Sequence, residues 1–212
     1  MPRILLTSGP TREYLDPVRY LTNASSGRMG AALAETAIDR DFEVVIVSGP
    51  VDIEYPPAAR VVPVLTTEEM LDAAIAEFPT CDGVIGVAAP CDFRPVVFSD
   101  QKLKKQGNGL QLDLVETPDI LAALGRSKRE GQWIVSFALE TDDPRNRAIE
   151  KLKRKRADLI VLNGPAAIDA VETSVELIGP EGETVAHSEG PKSDIARQIV
   201  DTVVKRFLPQ DD

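Results

Sequence analysis

The stretch Glu43-Val44-Val45-Ile46-Val47-Ser48 decides the fold class. Four consecutive branched aliphatic side chains leave no polar face, so a strand built from them must be covered on both sides, as in the middle of a parallel sheet. Runs of similar character recur at Arg3–Leu6, Val61–Leu65, Gly83–Ala88, Trp133–Phe137 and Leu159–Leu162. Amphipathic stretches lie between them. Met29, Leu33, Ala37 and Ile38 fall on one side of a helix following Gly27, and Thr66 with Glu69 has the spacing of a capping box ahead of Met70, Leu71, Ala74, Ile75 and Phe78. Thr117-Pro118 reads as an N-cap followed by a proline in the first helical turn. Two more helices are predicted from about Pro144 to Arg156 and from Ser193 to about Phe207. Strand and helix in alternation predict an α/β fold: a Rossmann-like, doubly wound, mostly parallel sheet in a three-layer αβα sandwich. Two segments interrupt the rhythm. Residues 90–116 read as a long loop with a lysine cluster and a short strand, Leu110–Val115. Residues 174–188 read as a small β-hairpin extension, Val175–Ile178 and Thr184–His187, turned by Gly179-Pro180-Glu181-Gly182. With no internal repeat or low-complexity linker, residues 1–212 read as one domain.

Composition narrows the function classes. Twenty-four Lys and Arg stand against 34 Asp and Glu, a formal net charge of −10, which argues against nucleic-acid and anionic-membrane partners. Cys81 and Cys91 make neither a disulfide framework nor a zinc site, and His187 is the one histidine, so a histidine-based triad lacks support. No apolar run approaches the ~20 residues of a membrane span. The N-terminus moves straight into a strand pattern without the shape of a signal peptide. The expectation is a reduced, soluble, cytoplasmic protein.

Ligands of open α/β sheets bind beyond the carboxyl ends of the strands, which makes three clusters of interest. The first follows the opening strand and runs through Ser8-Gly9-Pro10-Thr11-Arg12, Asp16-Pro17-Val18-Arg19-Tyr20 and Asn23-Ala24-Ser25-Ser26-Gly27-Arg28-Met29-Gly30. Small residues and hydroxyls ahead of a helix can offer N–H groups and a positive dipole end to an anion, or can simply form a glycine-rich turn with a serine N-cap. About twenty irregular residues here would far exceed the usual ~2–6 of a βα connection. The second cluster is Ala88-Ala89-Pro90-Cys91-Asp92-Phe93-Arg94-Pro95, followed by Lys102-Leu103-Lys104-Lys105. Its carboxylate can hold magnesium or a ribose hydroxyl, and its lysines can close over phosphates or belong to a solvated loop. Cys91 as a nucleophile has no histidine nearby in sequence. The third cluster, Arg145 to Arg156, holds seven cations and only Glu150 to oppose them. Much of it can be a solvated helix face, while Lys151 and Lys155 share one side and can meet phosphate or base. Phe137, at the end of its strand, can stack on a base or fill the core. GxGxxG, a ribose-binding acid after Ser48 and GxxxxGK[ST] are all missing, which weakens an NAD(P)-dependent reductase and removes a P-loop.

The motifs of the first cluster closely resemble the opening of the phosphopantothenate–cysteine ligase family. The resemblance continues through Ala88–Pro95, the KxKK loop at Lys102–Lys105, Thr117-Pro118-Asp119-Ile120, Phe137-Ala138-Leu139-Glu140-Thr141 and Lys151 to Asn163. It implies amide synthesis in coenzyme A biosynthesis, in which the carboxylate of 4′-phosphopantothenate attacks the α-phosphate of CTP (with ATP as the alternative triphosphate) and L-cysteine then displaces CMP from the acyl-cytidylate. By similarity, Asn23 and Lys102 are catalytic. Gly9, Ser25 and Gly27 border the phosphates; Ala88, Phe93 and Phe137 line the base site, with Asp119, Lys151 and Lys155 nearby. Arg19, Asn23 and Ala89 meet the acid substrate, and Asp92 meets Mg2+ or the ribose. The family further implies a homodimer whose site draws on both chains, with a separate flavin-dependent decarboxylase as a candidate partner; no decarboxylase half precedes Met1, so decarboxylation is expected to be absent whether the chain is a stand-alone enzyme or an excised domain. This chain departs from the family at Pro90-Cys91, where AAVAD is usual, at Gly164 after Asn163, and around Asp169–Ser174. The first two departures keep open a nucleotide-binding module without turnover.

Overall fold

The computed structural model describes residues 1–105, 107, 109–140, 142–163 and 172–209. Thr141, Gly164 and part of the 169–174 segment therefore lie outside the described residues. In chain order the first elements are β1 (Arg3–Ser8), β2 (Arg12–Tyr14), β3 (Tyr20–Thr22), α1 (Arg28–Ile38), β4 (Glu43–Ser48), β5 (Arg60–Pro63) and α2 (Thr67–Glu77). There follow β6 (Gly83–Gly86), β7 (Phe93–Pro95), β8 (Leu114–Glu116), α3 (Ile120–Ser127), β9 (Trp133–Leu139) and α4 (Pro144–Lys155). The chain closes with β10 (Leu159–Asn163), β11 (Glu172–Ile178), β12 (Thr184–Pro191) and α5 (Lys192–Phe207).

One eight-stranded sheet orders these strands β12-β11-β10-β9-β6-β1-β4-β5. The six from β10 to β5 are parallel, and the winding reverses between β1 and β6, the topology of a doubly wound fold. Every residue of β4 from Val44 to Ser48 is buried, as the opening stretch requires. The alternation of the pleat divides these apolar runs between two helical layers. Ile4, Leu6, Val44 and Ile46 meet Leu33, Ala34 and Ala37 of α1 and Ile195, Ile199 and Val203 of α5. Leu5, Val45, Val47 and Val84 face Met70 and Ala74 of α2, Leu121 and Leu124 of α3, and Ala148 and Leu152 of α4. Among the described residues, no helix is long and apolar enough to cross a membrane.

Several local expectations shift. The Thr66–Glu69 capping box forms as the spacing predicts. The N-cap of α3 is Asp119, whose carboxylate accepts from the Ala122 N–H at 3.0 Å, whereas Thr117 Oγ1 donates to the Cys91 carbonyl at 2.5 Å. The connection after β1 is not wholly irregular, because β2 and β3 form an antiparallel hairpin within it. The short strand predicted at Leu110–Val115 is Leu114–Glu116, paired with Phe93–Pro95. The carboxy-terminal hairpin is longer than its apolar residues indicate, and β11 joins the main sheet antiparallel to β10.

Gly49 marks the tightest approach among the loops leaving the sheet. A Cβ there would stand 1.7 Å from the Pro10 carbonyl oxygen and 2.8 Å from its carbon, so relief requires backbone movement. We expect Gly49→Ala to destabilise the protein by ~1–3 kcal/mol, the usual penalty of overpacking, in urea unfolding monitored by circular dichroism. An unchanged midpoint would contradict this reading of the contact.

Candidate active site

Because the chain leaves β1 and β6 in opposite directions, a crevice opens where their loops part. The loops remain joined at their bases, with Val87 N–H donating to the Thr7 carbonyl at 3.1 Å and Ala89 N–H to that of Gly9 at 2.9 Å. Beyond these bonds lies a cleft of about 1000 Å3. One wall is the Asn23–Gly30 segment, the floor includes Ala88 and Ala89, and the far wall carries Asp119, Lys151, Arg154 and Lys155.

The near wall ends in the N-terminus of α1. Its N-cap is Gly27 in the left-handed region (φ 74°), and no side chain caps the helix, so the expected alternative of a serine cap is not realised. First-turn N–H groups consequently face a cleft rather than a capping oxygen, and the positive end of the helix dipole adds to their pull on an anion. Asn23 Nδ2 donates to the carbonyls of Pro90 at 2.9 Å and Ala89 at 3.3 Å, tying the two loops together across the crevice. Ser25 lines the same wall.

The far wall is cationic, but its cations are held. Asp119 lies 3.3 Å from the Arg154 guanidinium and 3.5 Å from Lys155 Nζ, and Lys151 Nζ sits 2.5 Å from Glu140. Burial pushes the Lys155 ammonium below its ordinary pKa; Asp119 opposes that shift, while Lys151 and Arg154 reinforce it. The expected solvated face is thus only part of α4. Arg145 turns instead to Glu176 and the Gly182 carbonyl of the hairpin. Phe93 is 49% exposed at the cleft, and Phe137 packs against the core, the second of the two roles foreseen for it, while also edging the cleft. Asp92 is exposed there, with no ion pair among the described residues.

The cleft therefore gathers Asn23, Ser25, Gly27, Ala88, Ala89, Asp92, Phe93, Asp119, Phe137, Lys151 and Lys155, and leaves out Gly9, Arg19 and Lys102. Gly9 lies beneath the loops, where a Cβ would strike Val51 at 2.8 Å. Arg19 is engaged with Asp16 and the Leu103 carbonyl, and Lys102 is exposed on its loop. Cys91 is buried, its thiol pushed up chiefly by desolvation and donating to the Thr11 and Leu21 carbonyls, which removes it as a nucleophile.

Sequence reasoning assigned no role to Asp16, a carboxylate buried at 0% exposure. Desolvation disfavours its charged form, yet the N–H groups of Leu103, Val18 and Arg19 and the Arg19 side chain outweigh that and hold the carboxyl far below its ordinary 3.8. The signal was present in Asp16-Pro17, since an Asp that accepts from N–H groups two and three residues on forms an Asx turn. Thr11 was also passed over. Its hydroxyl meets Thr67 Oγ1 at 2.8 Å and accepts from the Cys91 N–H, joining the loops to α2.

Fold and cleft together define a doubly wound α/β protein with a crevice, walled by an uncapped helix N-terminus and by lysine and arginine side chains, where its sheet reverses. The chain belongs to the family described as the DNA/pantothenate metabolism flavoprotein C-terminal domain, whose model matches residues 2–207. It is 45% identical over 161 residues to the coenzyme A biosynthesis bifunctional protein CoaBC of Bacillus subtilis, covering 76% of this chain and 39% of that one. It is 36% identical over 211 residues to the protein of the same name from Escherichia coli K12, covering 96% and 52%. The chain thus spans about half the length, or less, of these relatives. A solved C-terminal domain of a CoaBC protein superposes with a TM-score of 0.80 at 36% identity, covering 95% of this chain and 93% of that one.

Two variants separate the functions of Asp119. Asp119→Ala should cost ~0.5–2 kcal/mol by removing the α3 cap and should lower the Lys155 pKa further by removing a carboxylate that opposes its desolvation. Asp119→Asn should keep most of the stability while lowering the same pKa. An NMR titration of the Lys155 side chain, alongside thermal unfolding, checks both. A second titration follows from Asp16. With its folded-state carboxyl below its unfolded value, the stability it contributes is fully present above the ordinary carboxylate range and is lost as pH falls through the folded value. Asp16→Asn should therefore flatten the acid limb of stability against pH, and an unaltered limb would speak against the hydrogen bonds described.

Proposed function

We propose that this chain is a phosphopantothenate–cysteine ligase domain that joins 4′-phosphopantothenate to L-cysteine, with CTP converted to CMP and pyrophosphate. The observation that carries the reading is the cleft itself. In a chain of this family, it gathers an uncapped helix N-terminus, Asn23 and the Lys151–Lys155 wall around a space large enough for a nucleotide and a second substrate.

The chemistry suits residues that position and neutralise rather than attack. In the first step a carboxylate oxygen of the acid substrate forms a bond to the α-phosphorus, and the bond to the bridging oxygen breaks to release pyrophosphate. In the second, the cysteine amine attacks the acyl carbon, CMP leaves with the bonding pair, and the amine proton passes to solvent. N–H groups of the α1 first turn and the far-wall cations stabilise phosphate charge as it redistributes. Asn23 holds the acyl-nucleotide, its amide able to donate and accept. Lys102 neutralises triphosphate charge, and Arg19 takes the phosphate of the acid substrate. Magnesium would supply charge neutralisation on the phosphates. A lone exposed carboxylate at Asp92 suits an ion that keeps most of its coordination for phosphate and water, and the described residues hold no cluster of three or more His, Cys, Asp or Glu. A homodimer completes the proposal. Arg19 and Lys102 lie outside the cleft of their own chain, and Val96, Val97 and Phe98, shortly before Lys102 in sequence, are exposed, as an interface would use them.

Pyrophosphate release should require both a nucleoside triphosphate and phosphopantothenate, and amide should form only after cysteine is added. CTP and ATP assayed side by side decide the base. Release from CTP equal with and without phosphopantothenate would overturn the reading. Lys102→Ala should slow pyrophosphate release by about 10²-fold, as loss of a charge-stabilising donor does. Asn23→Ala should slow passage of the intermediate to amide instead. Unchanged turnover in either variant removes that residue from the mechanism.

A further inference from the structure

The lysine loop of residues 99–105 has no regular structure, yet it is fixed to the protein at two points. Ser99 N–H donates to the Leu15 carbonyl at 3.0 Å. Leu103 is held at both backbone groups: its N–H donates to Asp16 Oδ2 at 3.0 Å, and its carbonyl accepts from Arg19 Nη2 at 2.5 Å. The side chains of Lys102, Lys104 and Lys105 remain exposed. Everything converges on Asp16, which accepts from the N–H groups of Val18 and Arg19 at 2.9 Å each on Oδ1. On Oδ2 it takes Arg19 Nε at 3.0 Å and Nη2 at 2.6 Å besides Leu103. A carboxylate without exposure that spends both oxygens in this way fixes three things at once: the turn, the Arg19 fork and the loop backbone.

The element carrying this turn is itself anchored. Arg12 N–H donates to the Leu65 carbonyl at 2.8 Å, and Glu13 accepts from Thr67 N–H at the start of α2 at 2.8 Å. At its other end the β2–β3 hairpin runs directly into Asn23 on the cleft wall. One rigid hairpin therefore carries both the cleft amide and the attachment of the lysine loop.

We propose that Asp16 is a positioning residue that fastens the lysine loop through Leu103 and orients Arg19, so that the loop cations are presented from a defined place with their ammonium groups free. The consequence for turnover rests on the ligase reading; the fastening does not. Asparagine is nearly isosteric but would set an NH2 group against the donors that Asp16 now satisfies, loosening the loop while leaving the sheet intact.

The test compares the full chain with Asp16→Asn. Without substrates, amide exchange at Leu103 should accelerate by tenfold or more, and limited tryptic cleavage after Lys102, Lys104 and Lys105 should accelerate with it. Leu103→Pro removes the loop's N–H donor without altering Asp16 and should reproduce faster cleavage after Lys104 and Lys105, which keeps the idea testable if Asp16→Asn folds poorly. With substrates, kcat for pyrophosphate release should fall at least tenfold while the cysteine step from preformed acyl-nucleotide is retained. Exchange and cleavage within twofold of the parent overturn the proposal, as does a loosened loop with unchanged kcat. A parent chain that releases no pyrophosphate under any conditions counts against the ligase reading instead, and exchange alone then decides the fastening.

Discussion

The parallel pairing of β1 with β4 on one side and β6 on the other is the constraint on which the molecule depends. Register from Arg3 to Ser8 against Glu43 to Ser48, and from Ile4 to Thr7 against Gly83 to Gly86, makes β1 the common neighbour of both halves of the winding. The chain must then leave β1 and β6 in opposite directions, and no side chain is needed to open the crevice between them. The residues of the site fill a space that backbone topology has already made. Gly9 and Gly49 let the exits of β1 and β4 approach one another, and the Thr11–Thr67–Cys91 bonds keep the loops after β1 and β6 from splaying.

Charge is organised by the same economy. The chain carries −10 overall, yet one wall of the cleft is built from Lys151, Arg154 and Lys155. These cations are not waiting in open solvent; Glu140 and Asp119 hold them in place. A polyphosphate entering the cleft would exchange one set of anionic partners for another, so much of the ordering of long, flexible side chains is done beforehand. The acidic remainder of the surface discourages extended polyanions, while the wall still suits a small and highly phosphorylated ligand.

Much of this was legible in the sequence because it is local. The apolar run at Val44–Val47 reports two covered faces, and the Thr66–Glu69 spacing reports a helix start, since both signals are complete within a few residues. The β2–β3 hairpin was not legible: two strands of three residues have no periodicity to read, and their bonds to Leu65 and Thr67 come from more than fifty residues away. The α3 cap moved from Thr117 to Asp119 for a related reason, because Thr117 Oγ1 is claimed by the Cys91 carbonyl of another loop. Candidate site residues next to strand ends, such as Asn23, Ala88 and Phe137, fall at the cleft. Arg19 and Lys102 do not, because the turn and loop that carry them are bonded to each other rather than to the crevice.

The two cysteines acquire a meaning beyond packing. Burial raises the Cys81 thiol to about 11 and shifts Cys91 in the same direction. At neutral pH, Cys81 is then held as the protonated thiol. Thiol–disulfide exchange proceeds through the thiolate and needs access to it, and Cys81 and Cys91 lack both. A protein proposed to handle free cysteine thus keeps both of its own thiols out of exchange with that substrate.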